Sequence, residues 1–202
     1  GEGGTFSFYF GHHMTTVEGG VVSTNNKKLY ELMRAKRSHG LARETSPDTF
    51  ENFKTECPDV DPQFMFITDG YNFRSMEVNA VLGLSQLPNL TEWVNIRKDN
   101  FKRFLSITKE LDYLSNDFYE EGNSSFCLPF VCKTPKLKKA LKKYLQENGA
   151  ETRPLCSGNL LRQPFLQKKN YPHPSKYPNS EKLHECGFYI GNNHMITDDE
   201  FN

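Results

Sequence analysis

The residues best suited to chemistry lie near the start of the sequence, in the segment SFYFGHHMTTVEGG at 7–20. Ser7 precedes two adjacent histidines, His12 and His13, and a Gly-Gly pair closes the segment. Hydroxyl and backbone N–H groups at a tight turn can bind a phosphate, and an imidazole exchanges protons near neutral pH. The residue types alone leave a second interpretation open, a structural turn whose histidines are solvated or satisfied in the core.

Two strands are expected to hold this segment. TFSFYF at 5–10 alternates aromatic with small or polar residues, which predicts a strand, and VVST after the Gly-Gly pair predicts a second one. Apolar residues at helical spacing then predict a helix over 26–37. The stretch 39–68 is polar, contains prolines and has no strong period, so it is interpreted as a long surface excursion.

The rest of the sequence predicts alternating helices and strands. Helices are expected over 76–87, broken near Pro88, and over 90–111. A boundary is expected at Gly122. After it, the sequence predicts a strand in FCLPFVC, a lysine-rich helix ending at Gly149 and a short strand in ETRPLC. A loop over 164–178, a helix near 180–186 and a strand in FYIG are expected to follow. This order, without internal repeats, indicates the α/β or α+β class.

Composition excludes several classes of function. The 202 residues carry 25 basic and 25 acidic side chains, and this balance argues against a nucleic-acid-binding or membrane-surface protein. The five cysteines are odd in number and irregularly spaced, as in a cytoplasmic protein with reduced thiols. The two nearest, Cys127 and Cys132, do not form the closely spaced set typical of an iron–sulfur cluster, so no metal site is expected.

Both ends of the sequence are expected to be truncations. The chain begins without an initiator methionine, directly against a strand-like run. It ends in ITDDEF at 196–201, which reads as an N-cap and an acidic first turn without the helix that should follow.

Segment 7–20 resembles the cofactor-lysine motif of the DegT/DnrJ/EryC1/StrS sugar aminotransferase family, approximately S-F-x-x-x-K-x-x-T-x-x-E-G-G. In that family the serine contacts the phosphate of pyridoxal 5'-phosphate, and the lysine binds the cofactor covalently. Ser7 matches the serine and Glu18-Gly19-Gly20 complete the motif, but His12 stands where the family has lysine. The resemblance therefore implies that Ser7 binds the cofactor and that His12 is the catalytic residue.

The same resemblance implies an α/β fold, the fold type I class of pyridoxal-phosphate-dependent transferases. Residues 1–121 would be the C-terminal part of the large cofactor-binding domain with its connecting helices, and residues 122–202 an incomplete small C-terminal domain. Three further segments support the match: RSHG at 37–40, SGN at 157–159 and GFYIGN at 187–192. The family's acidic partner of the pyridine nitrogen and its N-terminal phosphate loop would both lie upstream of residue 1.

The segment FYFGHHMTT at 8–16 resembles the corresponding sequence in one branch of the family, in which histidine replaces the lysine. The members of this branch are 3-dehydratases of nucleotide-linked 4-keto-6-deoxyhexoses. Histidine cannot form a Schiff base with the cofactor, but it can move protons. The branch implies non-covalently held pyridoxamine 5'-phosphate, L-glutamate to regenerate it, and a deoxysugar destined for a surface polysaccharide. GDP-4-keto-6-deoxymannose is the expected substrate, because CDP-linked relatives need clustered cysteines. An aminotransferase and a non-catalytic ligand-binding relative remain alternatives.

Other candidate site residues follow from the resemblance. GYNFR at 70–74 resembles the family's GYN-x-R, which implies that Asn72 contacts the cofactor phosphate of the partner subunit in a homodimer. Without the resemblance, an asparagine capping a glycine-initiated turn is the simpler interpretation. His13, Arg74 and Arg153 are candidate substrate-binding residues. A guanidinium suits a carboxylate or phosphate, although a surface ion pair is the alternative for Arg153.

Overall fold

The computed structural model describes residues 1–201 in two compact units, Gly1–Pro88 and a second that begins at Asn89. The first unit contains strands β1 (Gly3–Ser7) and β2 (Gly20–Thr24) and helices α1 (Lys27–Arg37), α2 (Pro47–Glu56) and α3 (Glu77–Gln86). The second contains helices α4 (Leu90–Thr108), α5 (Pro135–Glu147), α6 (Pro164–Gln167), α7 (Pro178–Cys186) and α8 (Asp198–Phe201), with strands β3 (Cys127–Val131), β4 (Thr152–Pro154) and β5 (Gly187–Gly191).

In the first unit, β1 and β2 form an antiparallel hairpin whose register pairs Gly3 with Thr24 and Ser7 with Gly20. Both predicted strands are confirmed, but β1 ends at Ser7, before the aromatic pair Tyr9 and Phe10. The residues between the strands, 8–19, form the connection of the hairpin and carry both histidines of the motif. We call this connection the His12 loop.

The stretch 39–68 is not the surface excursion that the sequence predicts. It contains α2, and Leu41, Ala42 and Met65 are all buried. These apolar residues lie in turns rather than at a helical or strand period, so the pattern gave no signal for their burial. The buried Glu31 of α1 anchors the start of α2 by accepting hydrogen bonds from Ser46, from its N (3.1 Å) and its Oγ (2.5 Å).

The second unit is a three-stranded antiparallel sheet in the order β3-β5-β4, packed against helices. Its core is a cluster of buried, mostly aromatic residues from α4, the sheet and their connections: Phe101, Phe104, Leu114, Leu128, Phe130, Cys132 and Phe188. Helix α4 belongs to this unit because Phe101 and Phe104 lie in that core. The division into compact units therefore falls at Pro88, whereas the domain boundary at 121/122 stays a prediction.

A polar link inside the second unit explains the asparagine of the GFYIGN segment. Asn192 is fully buried, and its Nδ2 donates to the carbonyl oxygens of Arg97 (2.9 Å) and Ser125 (2.8 Å). The buried Arg97 donates in return to the carbonyl of Asn192. Burial lowers the pKa of the Arg97 guanidinium. Reciprocal bonds of this kind are what polar groups need to be stable in a core.

None of the helices in residues 1–201 has both the length and the apolar character needed to cross a bilayer.

Candidate functional site

The His12 loop is closed at its neck by backbone hydrogen bonds around Phe8. The N–H of Phe8 donates to the carbonyl of Gly19 (3.0 Å), which extends the hairpin by one pair. The carbonyl of Phe8 accepts from the N–H of Thr16 (2.8 Å) and from the Oγ1 of Thr15 (3.1 Å). Residues 9–14 therefore form a short turn that projects from a fixed base.

Ser7, at the end of β1, and His12, on the turn, both form hydrogen bonds with the backbone of Tyr9. The Oγ of Ser7 accepts from the N–H of Tyr9 (3.3 Å), and the carbonyl of Tyr9 accepts from the N–H of His12 (3.2 Å). Gly11 has φ of +104°, a conformation that suits glycine and lets the chain turn back before His12. Ser7 is exposed, and His12 and His13 are half-buried. An exposed hydroxyl at the end of β1 is thus followed by a half-buried imidazole on the adjoining turn.

Steric contacts explain why glycines stand at positions 19 and 20, at the end of the motif. Thr16 is buried, and its Oγ1 donates to the carbonyl of Glu18 (2.9 Å). A Cβ on Gly19 would lie 2.3 Å from that Oγ1, and a Cβ on Gly20 would lie 2.9 Å from the carbonyl oxygen of Phe6. The two glycines allow the chain to return beside Thr16 and to enter β2 in register.

Helix α3 lies behind the loop and bonds to its backbone, a feature that the sequence analysis missed. The side-chain amide of Gln86 accepts from the N–H of Thr15 (3.0 Å) and donates to its carbonyl (2.6 Å). Asn79 donates to the carbonyls of Thr16 (2.8 Å) and Glu18 (3.1 Å). The available signal was two amides seven residues apart on a largely apolar helix, which places them on one face.

Asn72 and Arg74 lie on a different turn, docked against the end of α1. The N–H of Tyr71 donates to the carbonyl of Lys36 (2.6 Å), and Asn72 forms an antiparallel bridge with Ser38. The side chains of Asn72 and Arg74 are exposed. The structure thus fixes the backbone of the GYN segment and leaves these two side chains at the surface of the chain.

The RSHG and GYN segments pack on each other, which sequence spacing alone did not reveal. Gly40 has φ of +84°, and a Cβ there would lie 1.9 Å from the carbonyl oxygen of Thr68. A Cβ on Gly70 would lie 2.2 Å from the N of Gly40. The two backbone segments cross at this point and leave no room for a side chain. Both glycines are therefore needed to hold the turn that carries Asn72 in its place.

Arg153 lies on β4 of the second unit and is exposed. Its Nε donates to the Oε1 of Glu151 (3.0 Å), and a second guanidinium nitrogen lies 2.8 Å from the same oxygen. This is the surface ion pair that the sequence left open as the alternative. Exposed pairs contribute at most about 1 kcal/mol, so a bound anion could replace the partner of Arg153 at small cost. Its role toward substrate stays a prediction.

The comparisons with known proteins agree on one family. The model of the DegT/DnrJ/EryC1/StrS aminotransferase family matches residues 1–202. GDP-4-keto-6-deoxy-D-mannose 3-dehydratase of Escherichia coli O55:H7 (strain CB9615 / EPEC) is 30% identical over 201 residues, which cover 98% of this chain and 52% of that protein. The chain spans about half the length of the curated relatives it matches.

Solved structures give the same result for the fold. The E. coli GDP-4-keto-6-deoxy-D-mannose-3-dehydratase with bound hydrated PLP has a TM-score of 0.84 at 29% identity, over 100% of this chain and 52% of that one. A GDP-4-keto-6-deoxymannose-3-dehydratase with a trapped PLP-glutamate geminal diamine has a TM-score of 0.83 at 28% identity, over 100% of this chain and 53% of that one.

The predicted α/β fold of the fold type I class is therefore confirmed. Because the family model matches the chain along its whole length, this chain belongs to the DegT/DnrJ/EryC1/StrS aminotransferase family.

Proposed function

We propose that the full-length protein containing this chain is a pyridoxamine-phosphate-dependent 3-dehydratase of a nucleotide-linked 4-keto-6-deoxyhexose. The observation that carries the proposal is His12 in the place of the family's lysine, in a loop (residues 8–19) whose sequence contains no lysine. Two relatives that match nearly the whole of this chain are named GDP-4-keto-6-deoxy-D-mannose 3-dehydratase, which supports the same reaction.

The donor groups of the His12 loop fit the proposed cofactor. Ser7 is the last residue of β1, and its exposed hydroxyl can donate a hydrogen bond to a phosphate oxygen. Asn72 of a second copy of the chain would bind the same phosphate. The loop offers no amine for covalent attachment, so the cofactor would be held by hydrogen bonds and by groups outside this chain. Ser7 lies at the end of β1 and His12 on the turn that follows, so the imidazole would lie near the phosphate end of the cofactor.

When bound, the cofactor supplies an amine that condenses with the C4 ketone of the sugar and a pyridine ring that accepts an electron pair. His12 would take and hold the proton of the C4' carbon next to the ring, and the electron pair of that C–H bond would then be available to expel the C3 hydroxyl of the sugar. The backbone hydrogen bond from His12 to Tyr9 fixes the main chain that carries the imidazole. A histidine moves the proton without displacing the product as an amine, and this difference favours elimination over transamination.

The finer assignments belong to the same proposal. GDP-4-keto-6-deoxymannose is the substrate we expect, L-glutamate the amine donor, and a homodimer with shared sites the active assembly. They are supported by the names of the matching relatives, one of which was solved with a glutamate adduct of the cofactor. His13, Arg74 and Arg153 stay candidates for substrate binding, and a cytoplasmic location stays a prediction from the cysteine pattern.

The direct test incubates the full-length protein with pyridoxamine phosphate, L-glutamate and GDP-4-keto-6-deoxymannose, followed by mass spectrometry of the nucleotide sugar. A product that has lost one oxygen atom is expected from the 3-dehydratase. An amino sugar would instead show an aminotransferase. An unchanged nucleotide sugar would contradict this substrate and favour another nucleotide sugar or a relative that only binds ligand.

Substituting His12→Lys tests the central residue. We expect at least a 100-fold loss of 3-deoxy product, because a positioned acid–base group contributes about 10²–10⁴-fold. Borohydride should then attach the cofactor covalently to the variant but not to the wild type, as the mass of the intact protein would reveal. His173→Lys, at an exposed histidine of the second unit, is the matched control. Undiminished dehydration by H12K would contradict the role of His12.

A further inference from the structure

The amide of Gln86 occupies both backbone groups of one loop residue. It accepts from the N–H of Thr15 and donates to the carbonyl of Thr15, as a neighbouring β-strand would. Its Nε2 also donates to the carbonyl of Leu82 (2.8 Å), one turn earlier on α3. The carbonyls of Thr15 and Leu82 both need a donor, so the side-chain nitrogen of Gln86 must face them. The side-chain oxygen, Oε1, is then left to accept from the N–H of Thr15.

Asn79 forms a second contact of the same kind, one end of which is held by its own helix. Its Oδ1 accepts from the N–H of Met76 (3.3 Å) at the start of α3, so its Nδ2 faces the carbonyls of Thr16 and Glu18. Gly83 lies between the two amides, and a Cβ there would lie 3.2 Å from the Cγ2 of Thr16. Residues 79, 83 and 86 occupy one face of the helix, and that face fits the loop backbone.

The contacts of Gln86 and Asn79 hold the C-terminal part of the His12 loop, from Thr15 to Glu18. The hairpin and the Tyr9 carbonyl hold the chain up to His12, whereas Gln86 and Asn79 hold it from Thr15 onward together with the Phe8 carbonyl. The backbone of His12 is thereby fixed from both directions within three residues. Neither amide carries a charge, so the helix can hold the loop without adding a carboxylate or a cation beside the imidazole.

We propose that Gln86 and Asn79 are positioning residues for proton transfer by His12, and that the face of α3 formed by residues 79, 83 and 86 is the template that sets the geometry of the loop. The inference rests on the proposed function, since it assigns α3 a part in the same reaction. A misplacement of the imidazole by about 1 Å is enough to cost about 100-fold in rate.

The test substitutes Gln86→Met in the full-length protein, which keeps the length of the side chain and removes its hydrogen bonds. We expect kcat to fall about 100-fold with KM changed less than about threefold. Hydrogen–deuterium exchange of the cofactor-free protein should show faster exchange at the amides of Thr15 and Thr16. Gln146→Met is the matched control, because the side chain of Gln146 donates an exposed hydrogen bond to the Oγ1 of Thr152 in the second unit (2.9 Å).

A second variant separates positioning from folding. Gly83→Ala removes no hydrogen bond and replaces glycine by a better helix former, so α3 is not weakened. Its Cβ must displace Thr16 by a few tenths of an ångström, and we expect kcat to fall about 10-fold at an unchanged melting temperature. Rescue of part of the activity in Gln86→Asn, which retains a shorter amide, would support the role of the hydrogen bonds.

The proposal is overturned if Q86M and G83A both retain the kcat of the wild type, or if exchange at Thr15 and Thr16 stays unchanged. It is also overturned if KM rises in proportion to the loss of kcat/KM while kcat is preserved, because the residues would then serve binding only. If the wild type itself makes no 3-deoxy product, the proposed function fails separately. Exchange at the loop amides then still decides whether Gln86 and Asn79 hold the loop.

Discussion

At the residue scale, His12 stands where the family motif has lysine, and under the proposed function this one side chain redirects the chemistry of the loop. The loop retains the serine at its start and the two glycines at its end, and the structure gives each a local reason. What changes is the group between them, which can take a proton but cannot bind a carbonyl carbon reversibly as an amine does. The fold of the loop and the chemistry of the loop are therefore set by different residues.

Gly40 is important to the structure because it has no side chain, whereas His12 is important for its side chain. Gly40→Ala should lower the free energy of unfolding by at least about 2 kcal/mol, because it combines a positive φ with a Cβ 1.9 Å from the carbonyl of Thr68. Urea unfolding of the full-length protein is the measurement. Gly11→Ala is the control, since its φ of +104° is also positive but nothing lies within 4 Å. Equal losses in the two variants would contradict the steric explanation.

At the level of elements, the turn of residues 158–163 is attached to α7 by one carboxylate. Glu181 accepts from the Nδ2 of Asn159 (2.6 Å) and from the Nε of Arg162 (3.0 Å), and a second guanidinium nitrogen of Arg162 completes a fork. Arg162 holds the pKa of Glu181 at about 2, below its usual 4.5. Bidentate pairs of this kind also set the orientation of both partners.

The pH dependence of this attachment follows from the sign of the shift. Because the pKa of Glu181 is depressed in the folded protein, its contribution to stability is present above about pH 4.5 and is lost as pH falls toward about 2. Glu181→Gln should therefore be less stable than the wild type at pH 6, and the difference should shrink as pH is lowered through this window. Urea midpoints at several pH values measure it. A difference that does not change with pH would refute the assignment.

At the scale of the whole molecule, this chain carries groups proposed for two different active sites. Ser7 ends the strand that leads into the His12 loop, whereas Asn72 lies exposed on a turn that packs on α1. An asparagine that serves the cofactor of a second copy needs a rigid backbone and a side chain that points out of its own chain. The crossing of Gly40 and Gly70 provides the rigidity.

Mixed dimers test this division of labour. Full-length His12→Ala and Asn72→Ala should each be inactive or nearly so as homodimers. After mixing and exchange of subunits, one site of each heterodimer would hold both native residues, so about a quarter of all sites should regain activity. Turnover before and after exchange is the measurement. No recovery, despite heterodimers verified by mass, would place Asn72 in the same site as the His12 of its own chain.

The sequence by itself determined much of the local structure, and it predicted the chemistry of the loop. Alternation and helical spacing predicted β2, α1, α3 and α4 within a few residues, because these patterns reflect dihedral angles and buried faces of single elements. The motif around Ser7 identified the family, and His12 identified the departure from it. Each of these signals lies within one continuous segment of the chain, of which the longest is α4 with 19 residues.

Tertiary structure alone decided which distant residues complete the site. The bonds from Gln86 and Asn79 to the loop span 71 and 63 residues, and no period in the sequence marks them. The same holds for the crossing at Gly40 and Gly70 and for the burial of Leu41 in a polar stretch. Hydrogen bonds to backbone groups and close contacts between glycines depend on where the chain returns in space, which side-chain patterning does not encode.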